Sequence, residues 1–296
     1  MPVELMSVDA IGDWRSRCDM AFCVVEEVWH RTIDQYEPLI KSLSKFDLIV
    51  CCFAETCERL AEVTGKPVIH VPYGVDALRF LPDRGEFDRP IDIHYMGRRR
   101  PELHDALLAH ARDTGRFYHY DTFTSLPVTT DHNAHRDHLA NLVRRSKLFM
   151  VDYAKKGHAD QKTGEMMGWG PRHIEGMMGG AVQVGYTPDT ADYLENFDWP
   201  TVVSRLPEDA DEAVKVISDL LSDPAKLTEM RLQNYAHVGR RHDWLQRWRQ
   251  ITEFFGLPDT PAMAEREAKI DATTARLTRR ASDQVVSIGS IGGAKR

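Results

Sequence analysis

The chain has 296 residues, 42% of them hydrophobic and 28% charged, a length that suggests two domains and a composition that excludes collagen-like, mucin-like or wholly disordered chains. Its 38 basic residues against 45 acidic ones leave a net charge of −7, so no whole-protein field would recruit nucleic acid, and an anionic ligand must be held by a local site. No run approaches the roughly 20 apolar residues of a membrane helix, and the N-terminus lacks a basic segment followed by an apolar one; a cytoplasmic protein with no transmembrane segment is expected.

Three short apolar runs, 21–25, 48–53 and 67–72, are rich in β-branched residues and predict buried strands. Helical spacing separates them. Ile33, Tyr36, Ile40 and Leu43 recur at three to four residues, and a second helix over 56–64 stops at Gly65. Continuous apolar strands alternating with helices read as a parallel sheet covered on both faces. Cys18, Cys23, Cys51, Cys52 and Cys57 fall among these elements. They are odd in number and lack paired metal-type spacing, so they read as reduced thiols rather than a zinc site.

The segment 73–90 carries Gly74, Pro82, Gly85 and Pro90 and reads as a linker. The alternation then resumes, with strands over 91–95, 117–120, 148–152, 181–185 and 201–203. Helices over 102–114, 133–146, 171–178 and 189–196 separate them, and helices over 209–222 and 224–255 close the unit. Beyond Gly256, two prolines, a charged stretch and a Gly/Ser-rich end predict a flexible tail. The expected division is 1–90, 91–255 and a tail over 256–296.

Three blocks along this path carry chemistry. The first runs from Pro67 to Pro82, a strand ending in Pro72, Gly74 and Asp76, which on its own is turn chemistry. The second places Gly97 at the carboxyl end of a strand and Arg98, Arg99 and Arg100 at the entrance of a helix. Open parallel sheets bind ligands at such ends, and a guanidinium beside a glycine suits phosphate; Arg98, nearest the strand, is favoured, against the plainer reading of a solvated charge run. The third, Gly168 to Gly185, leads through Gly170 and Pro171 into a helix ended by Gly179 and Gly180, so free N–H groups at its start, with Arg172, could meet a diphosphate. Glu175, one turn beyond Arg172, could accept from a sugar hydroxyl or simply pair with that arginine. His132, His135 and His138 share a helix face but have no carboxylate cluster or cysteine partner nearby, so they read as a solvated face and not as metal ligands.

Taken in order, Pro72, Gly74, Val75, Asp76, Phe80 and Pro82, then Gly97 and Arg98, then Arg172, Glu175 and Gly180 resemble the blocks of GT-B glycosyltransferases of the group 1 or family 4 type, over roughly residues 45 to 255. The resemblance implies an α/β fold of two Rossmann-like domains, here with an incomplete N-terminal one. It implies transfer of a sugar from a nucleoside diphosphate-sugar to an acceptor with retention, without metal or other cofactor. Gly74, Gly97, Arg98, Pro171, Arg172, Glu175, Gly179 and Gly180 would then bind the donor, and Arg98, Arg172 and Glu165 would act in catalysis. Glu175 matches the second glutamate of the group's E-x7-E signature, which contacts ribose in relatives. The first falls on Met167, and Glu165, two residues upstream, could replace it only across a longer loop. The alternatives are a catalytically silent nucleotide-sugar-binding protein or partner subunit, or another nucleotide-sugar enzyme such as an epimerase. The short N-terminal half would leave apolar sheet surface uncovered, which predicts a homo-oligomer or a longer native product.

Overall fold

Leu48, Ile49, Val50 and Cys51 are all buried, as expected of a strand covered on both faces. In the computed structural model, which describes residues 7–83, 88–122, 129–153 and 166–292, they form β2 (Leu48–Cys51) between β1 (Phe22–Val25) and β3 (Val68–His70). The three strands are parallel, in the order β1-β2-β3. They belong to a first unit made of Met1–Tyr73, Ala154–Gly168 and Arg247–Asp259, while Gly74–Tyr153, Trp169–Gln246 and Thr260–Arg296 form a second. The segment expected as a linker is thus part of the second unit.

In the first unit, Leu48, Val50, Val71 and Ile251 make a small core joined by Phe22, Ile69 and Phe255. The helix expected through Ile33 and Leu43 is broken in two. A 3-10 turn covers His30–Gln35, and α1 (Glu37–Leu43) begins after Tyr36, whose backbone is not helical. Pro38 explains the break: within a continuous helix its ring would meet the carbonyl four residues back, whereas in a first turn it is tolerated. The crossover to β3 is α2 (Ala54–Thr64).

The second unit carries five parallel strands, β4 (Ile91–Tyr95), β5 (Tyr118–Tyr120), β6 (Ser146–Asp152), β7 (Val182–Tyr186) and β8 (Val203–Arg205), in the order β5-β4-β6-β7-β8. The order reverses between β4 and β6, which makes their carboxyl ends the topological switch point where open sheets take ligands. Ile93, Tyr95, Leu148, Met150, Val182 and Val184 form one core face, covered by Leu103 and Leu107 of α4 (Pro101–Thr114) and by Ala213 and Ile217 of α8 (Ala210–Leu221). The other face meets α5 (His132–Arg144) and α6 (Arg172–Met178), where Gln183 Nε2 donates to the carbonyls of Arg172 and His173 at 2.9 and 2.6 Å. Short helices α3 (Ala77–Phe80) and α7 (Ala191–Asn196) complete this part.

Two corrections concern the C-terminal third. The helix expected over 224–255 is two, α9 (Pro224–His242) and α10 (Trp244–Phe254), separated by Asp243 in extended conformation. Asp243 is fully buried and accepts from the N–H groups of Ala77 and Leu245. Val75 pairs beside it, its N–H donating to His242 O at 2.9 Å. The tail expected to be flexible forms α11 (Pro261–Gly292), packed along α9. Met263, Ile270 and Leu277, seven apart, are its buried stripe, and Gly239 of α9 lets Ile270 and Thr274 approach closely. A seven-residue apolar period is that of a helix lying along another helix.

Candidate functional site

Beyond the last residue of β4 the chain turns through Met96 and Gly97 into three arginines. Gly97 has φ +80°, a conformation that costs other residues about 1–2 kcal/mol. A Cβ there would come within 2.6 Å of Arg172 Nη1. Arg172 lies this close because its Nη1 donates to Met96 O at 2.9 Å, so the start of α6 is tied to the end of β4. Gly97 and Arg172 are therefore brought together.

The three arginines behave differently. Arg99 is paired with Asp121 at 2.6 Å and lies over the Tyr120 ring at 5.3 Å. Arg100 lies over Tyr186 at 4.6 Å and reaches Glu208 at 3.2 Å. Arg98 is exposed and has no partner among the described residues. It is thus the one guanidinium of the three left open to an anion.

Around it the backbone is pinned by side chains from neighbouring strands. Asp121, just past β5, accepts the Gly97 N–H at 2.6 Å. Tyr95 donates to Asp152 Oδ2 at 2.7 Å, and its hydroxyl accepts the Arg100 N–H at 3.2 Å. Burial, then the Asp152 charge, push the Tyr95 phenol well above its ordinary pKa, so it stays neutral and keeps its proton to donate. His94, on the opposite face of β4, has its pKa pushed down to about 3, chiefly by burial and then by the neighbouring His119 and Arg172. Burial likewise pushes His173 down to about 4.

Three expectations for the α6 block are corrected. Three of its first-turn N–H groups, those of His173, Ile174 and Glu175, donate to the carbonyls of Gly170 and Pro171, because the Gly-Pro approach already curls into a turn with Pro171 at the N-cap. Glu175 does not pair with Arg172. It is buried and its Oε1 lies 2.6 Å from Arg136 Nη2 of α5, while that guanidinium also covers the Phe80 ring. Gly179 and Gly180 sit at the far end of α6, away from Arg172. Gly180, with φ +77°, ends the helix where a Cβ would collide with Tyr235 and Arg89, so these glycines serve close packing. Gly74 is buried at the crossing beside Val75, and no described contact joins it to the strand-end cluster. Glu165 lies outside the described residues. Met167, described, has no carboxylate to offer.

Asp121, Asp152, Tyr95 and Arg136 were not singled out from the sequence. Each acts on a residue of another segment, and only the aspartates' positions one residue past or at the end of a strand could have suggested them. Among the described residues, no three histidine, cysteine, aspartate or glutamate side chains gather as a metal cluster. No described helix is long and apolar enough to cross a membrane.

The two units with their parallel sheets have the fold of GT-B glycosyltransferases. Crystal structures of Anabaena HepE are similar to this chain: in complex with UDP and glucose, 13% identical with a TM-score of 0.54, over 85% of this chain and 75% of that one. The same protein with UDP-glucose is 12% identical with a TM-score of 0.52, over 85% and 76%. The family model described as glycosyl transferase-like matches residues 94–253, more than half of the chain, and the chain belongs to that family. No curated protein matches it.

Proposed function

We propose that the chain transfers a sugar from a nucleoside diphosphate-sugar to an acceptor hydroxyl, with retention and without a metal ion. The observation that carries this is the unpaired Arg98 guanidinium at the switch point of the five-stranded sheet, next to the Gly97 that Arg172 touches, in a chain of a glycosyl transferase-like family. When the bond between the sugar carbon and the diphosphate oxygen breaks, negative charge builds on the leaving group. Arg98 and Arg172 oppose that charge, and because Arg172 is already braced on Met96 O little reorganisation is needed. HepE, of similar fold, is seen with UDP and with UDP-glucose, which supports a uridine nucleotide as the first donor to try.

Glu175 is the proposed ribose ligand. In the free protein its Oε1 pairs with Arg136 and the side chain is buried, so ribose would have to be met in competition with that pair. A second reading, a silent nucleotide-sugar-binding protein, is favoured by Met167 at the position of the first signature glutamate. Release of UDP from UDP-glucose by the full chain, measured with and without chelator, tests the proposal. Turnover in both conditions is expected. Donor binding without any hydrolysis or transfer would favour the silent reading instead.

A further inference from the structure

The arginine run carries three charges, yet only one is open. Arg100 is taken by Glu208 and Tyr186, and what takes Arg99 also fixes the loop. Asp121 uses both carboxylate oxygens on the turn: Oδ2 accepts the Gly97 N–H at 2.6 Å, and Oδ1 takes Arg99 Nη1 at 2.6 Å. Arg99 Nη1 also donates to Gly97 O at 3.2 Å, closing a ring around that glycine. The pair is mostly buried, the Arg99 side chain 16% exposed and that of Asp121 20%, where charge-assisted hydrogen bonds are strong and geometry is well held. Arg98 follows Gly97 directly, across a peptide whose carbonyl Arg99 Nη1 holds at 3.2 Å while Asp121 holds both Arg99 and the Gly97 N–H, so the direction in which the Arg98 side chain leaves the backbone is set through Asp121.

We propose that Asp121 is a positioning residue for the donor diphosphate: it acts through Gly97 and Arg99 to present Arg98 alone, at one angle, to the leaving group. The proposal rests on the reading of Arg98 given above. Asp121 itself, as an anion, does not touch the diphosphate. Its loss would have two consequences for the loop. The Gly97 turn would slacken, and Arg99 would be released as a second, mobile cation.

The experiment is a double-mutant cycle on UDP binding by the full chain, using wild type, Arg98→Ala, Asp121→Ala and the double variant, with Asp121→Asn as the conservative change. Asp121→Ala is expected to weaken binding about tenfold, which corresponds to about 1.4 kcal/mol. Asp121→Asn, still able to accept the Gly97 N–H, should recover part of that loss. In the Arg98→Ala background, removing Asp121 should cost almost nothing more, because there is no longer a guanidinium to aim. A purely structural role predicts additive losses and lowered melting temperatures that track affinity. Full affinity in Asp121→Ala, or additive losses, would overturn the proposal while leaving the Arg98 reading intact. Unchanged binding in Arg98→Ala, or no binding by wild type, would overturn that reading and this proposal with it. Should Asp121→Ala not fold, the same cycle run with Asp121→Asn decides.

Discussion

Placing a methyl group on Gly97 perturbs the strand-end turn in two separable ways. The backbone at φ +80° makes alanine unfavourable by about 1–2 kcal/mol, a loss that appears in unfolding. The new Cβ would also stand 2.6 Å from Arg172 Nη1, well inside contact distance, so the guanidinium must swing off Met96 O. That movement costs stability only the exposed hydrogen bond to Met96 O, but it displaces one of the two cations proposed to meet the leaving group. Loss of a charge-assisted contact to phosphate is worth about 1.5–3 kcal/mol, lowered by exposure to about 1–1.5 kcal/mol, or roughly tenfold in UDP affinity. Calorimetric titration of Gly97→Ala and of Gly97→Ala combined with Arg172→Ala separates the two effects. The methyl group should weaken binding in the wild-type background and add little once Arg172 is gone. Wild-type affinity in Gly97→Ala would refute the placement of Arg172 in the site.

Three further outcomes are expected. Arg266 of α11 reaches the buried Asp243 at 2.8 and 2.7 Å and Asp76 at 2.7 Å, so Arg266→Ala should cost about 2–3 kcal/mol in urea unfolding by stranding the Asp243 carboxylate; a loss below about 1 kcal/mol would count against that buckle. Glu175→Gln should weaken UDP binding by about 1–2 kcal/mol if the carboxylate meets ribose, whereas a shifted melt with unchanged affinity would mean that it only holds Arg136. His94 and His173 have folded pKa values of about 3 and about 4, below the ordinary 6.5. The unfolded chain therefore binds more protons between about 6.5 and those folded values, and stability should decline as pH falls from about 7 towards about 4. His94→Gln should flatten the decline in the urea midpoint, and an equally steep decline in that variant would argue against the buried neutral histidine.

The N-terminal strands were legible because their apolar runs are continuous, as in β2, which is buried along its whole length; β4 is buried throughout as well, although Asp92 and His94 interrupt its apolar residues. The Gly97–Arg98 block was legible for a related reason: a glycine directly after an apolar run marks a strand end, and strand ends are where such sheets bind. Much less of the site's wiring could be read. Glu175 meets Arg136, 39 positions earlier, because α5 and α6 lie on the same sheet face, a neighbourhood that helical spacing within α6 cannot reveal. The first-turn N–H groups of α6 looked available from Pro171 alone, yet the carbonyls of Gly170 and Pro171 had already filled three of them. α11 was misread because its charged and small residues dominate composition, while Met263, Ile270 and Leu277 carry the packing at a period that composition does not register.

The proposed function requires the second unit to hold a nucleoside diphosphate through Arg98 without metal. Calorimetric titration of UDP, GDP and ADP into the full chain in the presence of chelator, repeated with Arg98→Ala, tests it most directly. Saturable binding of at least one of the three by wild type is expected, with a loss of about tenfold or more in the variant. Absence of binding by all three at millimolar concentration, or equal affinity in wild type and Arg98→Ala, would contradict it.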